Sequence, residues 1–261
     1  MNSQIIIETD PAGQRLYEIC QEGFALYTQQ LDQQQQWSAT LNLLEERNPE
    51  LFKTMGYQQL KGLLMTTSLL CIAATDLSVV VSALYLAKQR LEQIFYMKSA
   101  YLIIYETYIA FQDKQLLIKN EAAEAGAELQ AAHLRVSTAW RKFVNDFKVG
   151  TEVKKIRHQT GGHIHQNFSE WYTAVCRLEP QHTTNMLIAF LAWIQDSQNL
   201  VNPLLQRRLS LLQETGKQAN EKTWELLWKM EDLQKKVNII QPEGNKLDLD
   251  FSLLRNLLKR R

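Results

Sequence analysis

The string Lys154-Lys155-Ile156-Arg157-His158-Gln159-Thr160-Gly161-Gly162-His163-Ile164-His165 gathers three of the chain's five histidines beside three cations. An arginine and a histidine separated by five residues, Arg157 and His163, suit the cleavage of RNA. Attack by a 2′-hydroxyl needs one group to take its proton and one to return a proton to the leaving oxygen. It also needs a cation facing the crowded phosphate. Imidazole suits the proton steps because its ordinary pKa, about 6.5, lies near neutrality. Guanidinium suits the phosphate because it stays charged and its planar fork binds two oxygens. This chemistry requires no metal and no other cofactor, and none is expected. Lys154, Lys155, His158 and His165 are candidates for contacts with bound RNA. A rival reading makes His158, His163 and His165 a metal set, but no Cys or Asp lies nearby to supply a fourth ligand.

Position on an element decides whether the pair can meet. At about 100° per residue, six residues of ideal helix turn about 600°, so Arg157 and His163 would not share a face. Gly161-Gly162, the chain's only adjacent glycines, can kink or end the helix between them. Glu106 is the sole charge from Ser99 to Phe111. A carboxylate on so apolar a helix needs a partner or a route to water. Pairing with Arg157 would fix the guanidinium and complete a polar pocket; the alternative is a surface glutamate on a helix edge.

Arg157, a polar residue and then His163 make an R-polar-x(3–5)-H pattern, and the sequence resembles the HEPN superfamily in it. The run Phe95-Tyr96-Met97-Lys98-Ser99-Ala100-Tyr101-Leu102-Ile103-Ile104-Tyr105-Glu106 is similar to the apolar helix with an embedded glutamate that precedes the motif in some such families. The resemblance covers roughly residues 95–170. It implies a helical bundle and a metal-independent endoribonuclease of toxin or phage-defence type, with Arg157 and His163 catalytic and the site formed at a homodimer interface. In the toxin-type subgroup the second position after the motif histidine is often tyrosine, the target of nucleotide transfer by an antitoxin. Here it is His165, a departure that bears on any antitoxin partner.

Composition agrees with helix. The 261 residues include 10 glycines and 5 prolines, too few for a turn-rich sandwich or barrel, and are rich in leucine and glutamine. Thr9-Asp10-Pro11 predicts a first helix running to about residue 44, and Asn48-Pro49 a short helical turn. A helical region from about Tyr57 to Lys119 follows. In it Leu77, Val80, Val81, Leu84, Leu91, Ile94, Phe95, Leu102, Tyr105 and Ile109 recur at three- and four-residue steps, as one buried face would. Thr75-Asp76 is a candidate cap within it. Another helix is predicted from about Glu121 to Phe147, with Gly150 as its stop. Residues 182–214 form the next, with Pro203 as a kink or boundary near Asn202. Residues 217–238 form the last long helix, with Trp224, Leu227 and Trp228 as its buried stripe. The predicted fold is an all-α, multi-helix bundle of long antiparallel helices in one domain, 1–261. Its HEPN-like core spans about 57–215, followed by a loop and a basic amphipathic helix over 241–261.

Net charge is +1, which excludes a general nucleic-acid coat protein. Charge is nevertheless uneven. Residues 1–60 carry eight acids against three bases, and residues 141–165 six bases against two acids. Cys20, Cys71 and Cys176 form no CxxC and read as buried free thiols in a reducing compartment, so a cytoplasmic location is expected. Gly62–Ala87 has the length of a membrane span but carries Asp76 and six hydroxyl residues, so it reads as buried bundle helix. Trp140, Trp171, Tyr172 and Trp193 could stack bases but fit a bundle core better. His133 and His182 stand alone and read as structural or exposed. The tail leucines and basic residues could meet a membrane or a partner helix; packing on the bundle is the simpler reading. Two functions follow as expectations: a homodimeric ribonuclease acting on RNA, or a non-catalytic helical interaction module.

Overall fold

A computed structural model describes residues 11–160 and 178–240, together with Ser252 and Arg255. The described residues are helical almost throughout and include no strand. In chain order they form α1 (Pro11–Arg47), α2 (Pro49–Thr54), α3 (Tyr57–Leu86), α4 (Arg90–Gln112), α5 (Gln115–Ala125), α6 (Ala127–Asp146), a π-turn (Val149–Val153), α7 (Lys154–Thr160) and α8 (Pro180–Ile240). The all-α expectation holds. The chain forms two compact units, Met1–Arg207 and Arg208–Arg261, whose boundary falls inside α8.

Helices α1 and α3 pack antiparallel. Tyr17 stacks on Tyr85 with centroids 4.4 Å apart, Gln21 donates to Ser82 at 2.6 Å, Gln34 reaches Cys71 at 3.7 Å and Glu45 pairs with Lys61 at 2.5 Å. The residue numbers rise on one helix as they fall on the other. Helix α3 is the one helix among the described residues long and apolar enough to cross a membrane. It buries residues along its length, from Leu60 to Leu84, against α1 and α4. Most of its hydroxyls bond to carbonyls four residues back, as Thr66 does to Gly62, Thr67 to Leu63 and Ser78 to Ala74; the Thr75 hydroxyl has no partner among the described residues. Cys71 sits in a cage of amides, donating to Gln30 at 3.2 Å and accepting from Gln198 at 3.4 Å. Cys20 and Cys71 are buried free thiols, as expected, and burial pushes Cys20 up to about 11. Cys176 lies outside the described residues.

Several boundaries differ from expectation. Thr75-Asp76 is no cap, and α3 runs straight through it. The break comes at Ala87–Gln89, where Ala87 is extended and Gln89 with Glu92 forms a capping box for α4. That break resets the helical phase. Leu77, Val81, Leu84, Ile94 and Tyr105 are buried, whereas Leu91, Phe95 and Ile109 are exposed. The helix predicted over 121–147 is two, parted at Gly126. Gly150 is not the stop after α6; the left-handed residue there is Lys148, with φ 48°. Helix α8 passes through Pro203 and Gly216 without interruption. The carbonyl that Pro203 deprives of a donor belongs to Asn199, an exposed residue within reach of water. In the second unit Leu227 is buried but Trp228 is exposed, against the predicted stripe. Arg255 there donates Nε and Nη2 to one oxygen of Glu231, at 2.8 and 2.5 Å.

Gly126 has φ 107° and ψ 177°, a conformation that L side chains rarely adopt, and an added Cβ would meet nothing within 4 Å. Gly126→Ala should therefore cost backbone strain alone, about 1–3 kcal/mol. Urea unfolding followed by far-UV circular dichroism measures this, and an unchanged midpoint would refute it.

Candidate functional site

The site is built where α7 and the π-turn meet α4. Lys148 in the left-handed region ends α6 and turns the chain. Its carbonyl accepts from Thr151 at 3.0 Å and Glu152 at 2.8 Å. Val149 and Val153 are buried, which anchors the turn and aims the short helix α7 along α4. Gly150 lies beside the Tyr108 hydroxyl of α4, 3.7 Å from where a Cβ would stand.

On this platform Arg157 meets Glu106. Arg157 donates Nε at 3.0 Å and Nη2 at 2.8 Å to the same oxygen, Oε1. Its guanidinium carbon also lies 5.9 Å from the Tyr105 ring centroid, a cation–π distance. The His158 ring stands edge-on to Tyr105 at 6.3 Å, and its Nδ1 is 3.5 Å from Arg157 Nη1. Two of the five guanidinium N–H donors are thus engaged by the carboxylate. The pairing of Glu106 with Arg157, anticipated from the isolation of Glu106, is present. Neither partner is deeply buried, with side-chain exposures of 53% for Glu106 and 35% for Arg157. Lys154, Lys155 and His158 are exposed on the same short helix.

His163 and His165 lie outside the described residues, as do Gly161-Gly162, Trp171 and Tyr172. Helix α7 is described as far as Thr160. Trp140 and Trp193 are core residues, 4% and 2% exposed, and stack on one another at 4.1 Å. His182 packs on Phe147 at 5.5 Å, and His133 contacts Ser137 at 3.1 Å. Among the described residues no three His, Cys, Asp or Glu side chains gather as a metal set would.

Tyr105 and Tyr108 were missed as site residues. Tyr105 reads in sequence as a core position, which it is at 8% exposure, yet its face also supports the guanidinium. Its place next to Glu106 was the available signal. Comparisons of the chain with protein-family models, with curated proteins and with solved structures found no match.

The ion pair is half in solvent, so its contribution to stability is small. Glu106→Gln should cost no more than about 1 kcal/mol. Arg157→Ala should cost more, because it also removes the contact with Tyr105. Thermal unfolding of the two variants should rank them in that order, and the reverse order would refute the description of the site.

Proposed function

We propose that this chain is a HEPN-like, metal-independent endoribonuclease that cleaves RNA by 2′-hydroxyl attack, acting as a homodimer in the cytoplasm in a toxin or phage-defence setting. The reading begins from the chemistry. His163 is the residue able to take or return a proton near neutral pH. Arg157 is the cation able to face a phosphate through two donors at once. The observation that carries the reading is the fixation of Arg157. A residue of the motif is held by a carboxylate from another helix and rests on an aromatic face, with donors left over for an oxyanion. Such pre-orientation is what electrostatic stabilisation of a transition state requires. The exposed Lys154 and Lys155 add attraction for a polyanion at the same edge.

One observation favours a second reading. Glu106 largely neutralises Arg157 and ties α7 to α4, which is also how a purely structural clamp would look. On that reading the chain is a non-catalytic interaction module, and the basic helix is a surface for a partner or a second copy.

Purified full-length protein should cleave single-stranded RNA in excess EDTA and leave 2′,3′-cyclic phosphate ends. His163→Ala and Arg157→Ala should each lower the rate at least about 100-fold, the lower end of what general acid–base groups contribute, with circular dichroism unchanged. Cleavage that requires a metal, or that survives both substitutions, defeats the ribonuclease. Intact RNA together with an altered oligomeric state in Arg157→Ala supports the module.

A further inference from the structure

Helices α5 and α6 pack together across Gly126 and enclose an open groove of about 800 Å³, which lies in the first compact unit. Three kinds of lining residue meet in it. Lys119 of α5 and Arg141 of α6 bring positive charge from two helices, and no carboxylate is among the described lining residues. Neither cation has an ion-pair partner among the described residues. His133 lines the same groove, its pKa held below the ordinary imidazole value by burial and then by the nearby charges of Lys119 and Arg141. The amides of Gln112, Gln115 and Gln130 supply donors and acceptors. Leu116 and Leu134, one from each helix, line the groove with exposed aliphatic side chains.

The floor shows that this is more than a surface crease. His133, Ser137 and Trp140 also line an inner chamber of about 10 Å³, roughly the room of one water. Ser197 of α8 borders that chamber. It is 1% exposed, and its hydroxyl has no hydrogen-bond partner. An unpartnered buried hydroxyl is costly, and this one shares the inner chamber with His133 and Ser137 of the groove.

We propose that the α5–α6 groove binds a small organic phosphate of the mononucleotide class. The phosphate lies between Lys119 and Arg141, the base edge meets the glutamine amides, and the base face rests on Leu116 and Leu134. Uncompensated charge from two helices calls for an anion. The volume is far beyond a bare phosphate ion and within the range of pockets for organic ligands. A lipid tail would strip water from three amides without pairing them, whereas a base pairs them. No lining residue belongs to the Arg157 site, so the inference stands apart from the ribonuclease reading.

Isothermal titration of the full-length protein with AMP, GMP, CMP and UMP at low ionic strength tests it, with adenosine and inorganic phosphate as separate arms. At least one mononucleotide should bind saturably at one site per chain. That affinity should fall about tenfold or more in Lys119→Gln/Arg141→Gln, as expected when both phosphate partners are lost, while circular dichroism and the unfolding midpoint stay unchanged. Neither adenosine nor inorganic phosphate should match the whole nucleotide. Four outcomes overturn the proposal: no mononucleotide binds at millimolar concentration; binding is indifferent to the double substitution; inorganic phosphate binds as tightly as the nucleotide; or a single-stranded oligoribonucleotide binds where no mononucleotide does.

Discussion

Trp140 of α6 lies 4.1 Å from Trp193 of α8, and around that contact Phe111 of α4, Phe143 of α6 and Phe190 of α8 close within 4.7–5.9 Å. Each such aromatic pair contributes about 0.5–1.5 kcal/mol beyond simple burial, and rings this large fix the spacing of the helices that carry them. Three helices distant in sequence are therefore held in one register by a handful of side chains. The stack extends outward through Tyr108, 5.7 Å from Trp140, to Tyr105, 6.1 Å from Tyr108. Arg157 rests on Tyr105. In the other direction Trp140 forms part of the floor of the α5–α6 groove. One aromatic cluster thus underlies both the Arg157 site and the α5–α6 groove.

The cluster also accounts for irregular local structure. The π-turn and the left-handed Lys148 are unfavourable in isolation. They persist because Val149 and Val153 are buried and because Phe147, just before the turn, packs on Phe143 at 5.2 Å. Packing on a rigid wall lets α7 hold Arg157 in place. Likewise α5, with eleven residues, ends at a glycine whose conformation side-chain-bearing residues rarely adopt, and Arg207 of α8 donates to its last-turn carbonyl at Glu124.

Periodicity made the helix content and most of the core legible. Leu77, Val81, Leu84, Ile94 and Tyr105 are buried where their spacing put them. Glu106 was legible for a different reason: a lone charge in an apolar run implies a partner, and the basic segment offered one. Other features were not legible because sequence carries no phase across a break. Once Ala87–Gln89 ended α3, Leu91 and Phe95 turned outward although they continued the numerical pattern. Pro203 reads as a kink or boundary, but a helix tolerates it, and Gly216 after it, where tertiary contacts or solvent make up the loss. Lys148, not Gly150, occupies the left-handed position, since the turn is set by Val149 and Val153, which must be buried. His133 read as isolated because Lys119 and Arg141 approach it from other turns and another helix.

The two cationic places differ in a way that bears on what each can do. At Arg157 the charge is already matched by a carboxylate 2.8 Å away, so an incoming phosphate meets a nearly neutral pair and gains chiefly from hydrogen bonds in fixed directions. That suits a step in which geometry matters more than affinity, because attraction of equal strength in ground and transition states does not accelerate a reaction. At Lys119 and Arg141 the charge has no ion-pair partner among the described residues. Two unit charges about 4 Å apart are worth about 1 kcal/mol in water and about 4 kcal/mol at a partly desolvated surface. A groove that removes water from one side of the pair moves it toward the larger figure. The structure therefore separates an oriented cation from an attractive one, each supported by a different edge of the same aromatic cluster.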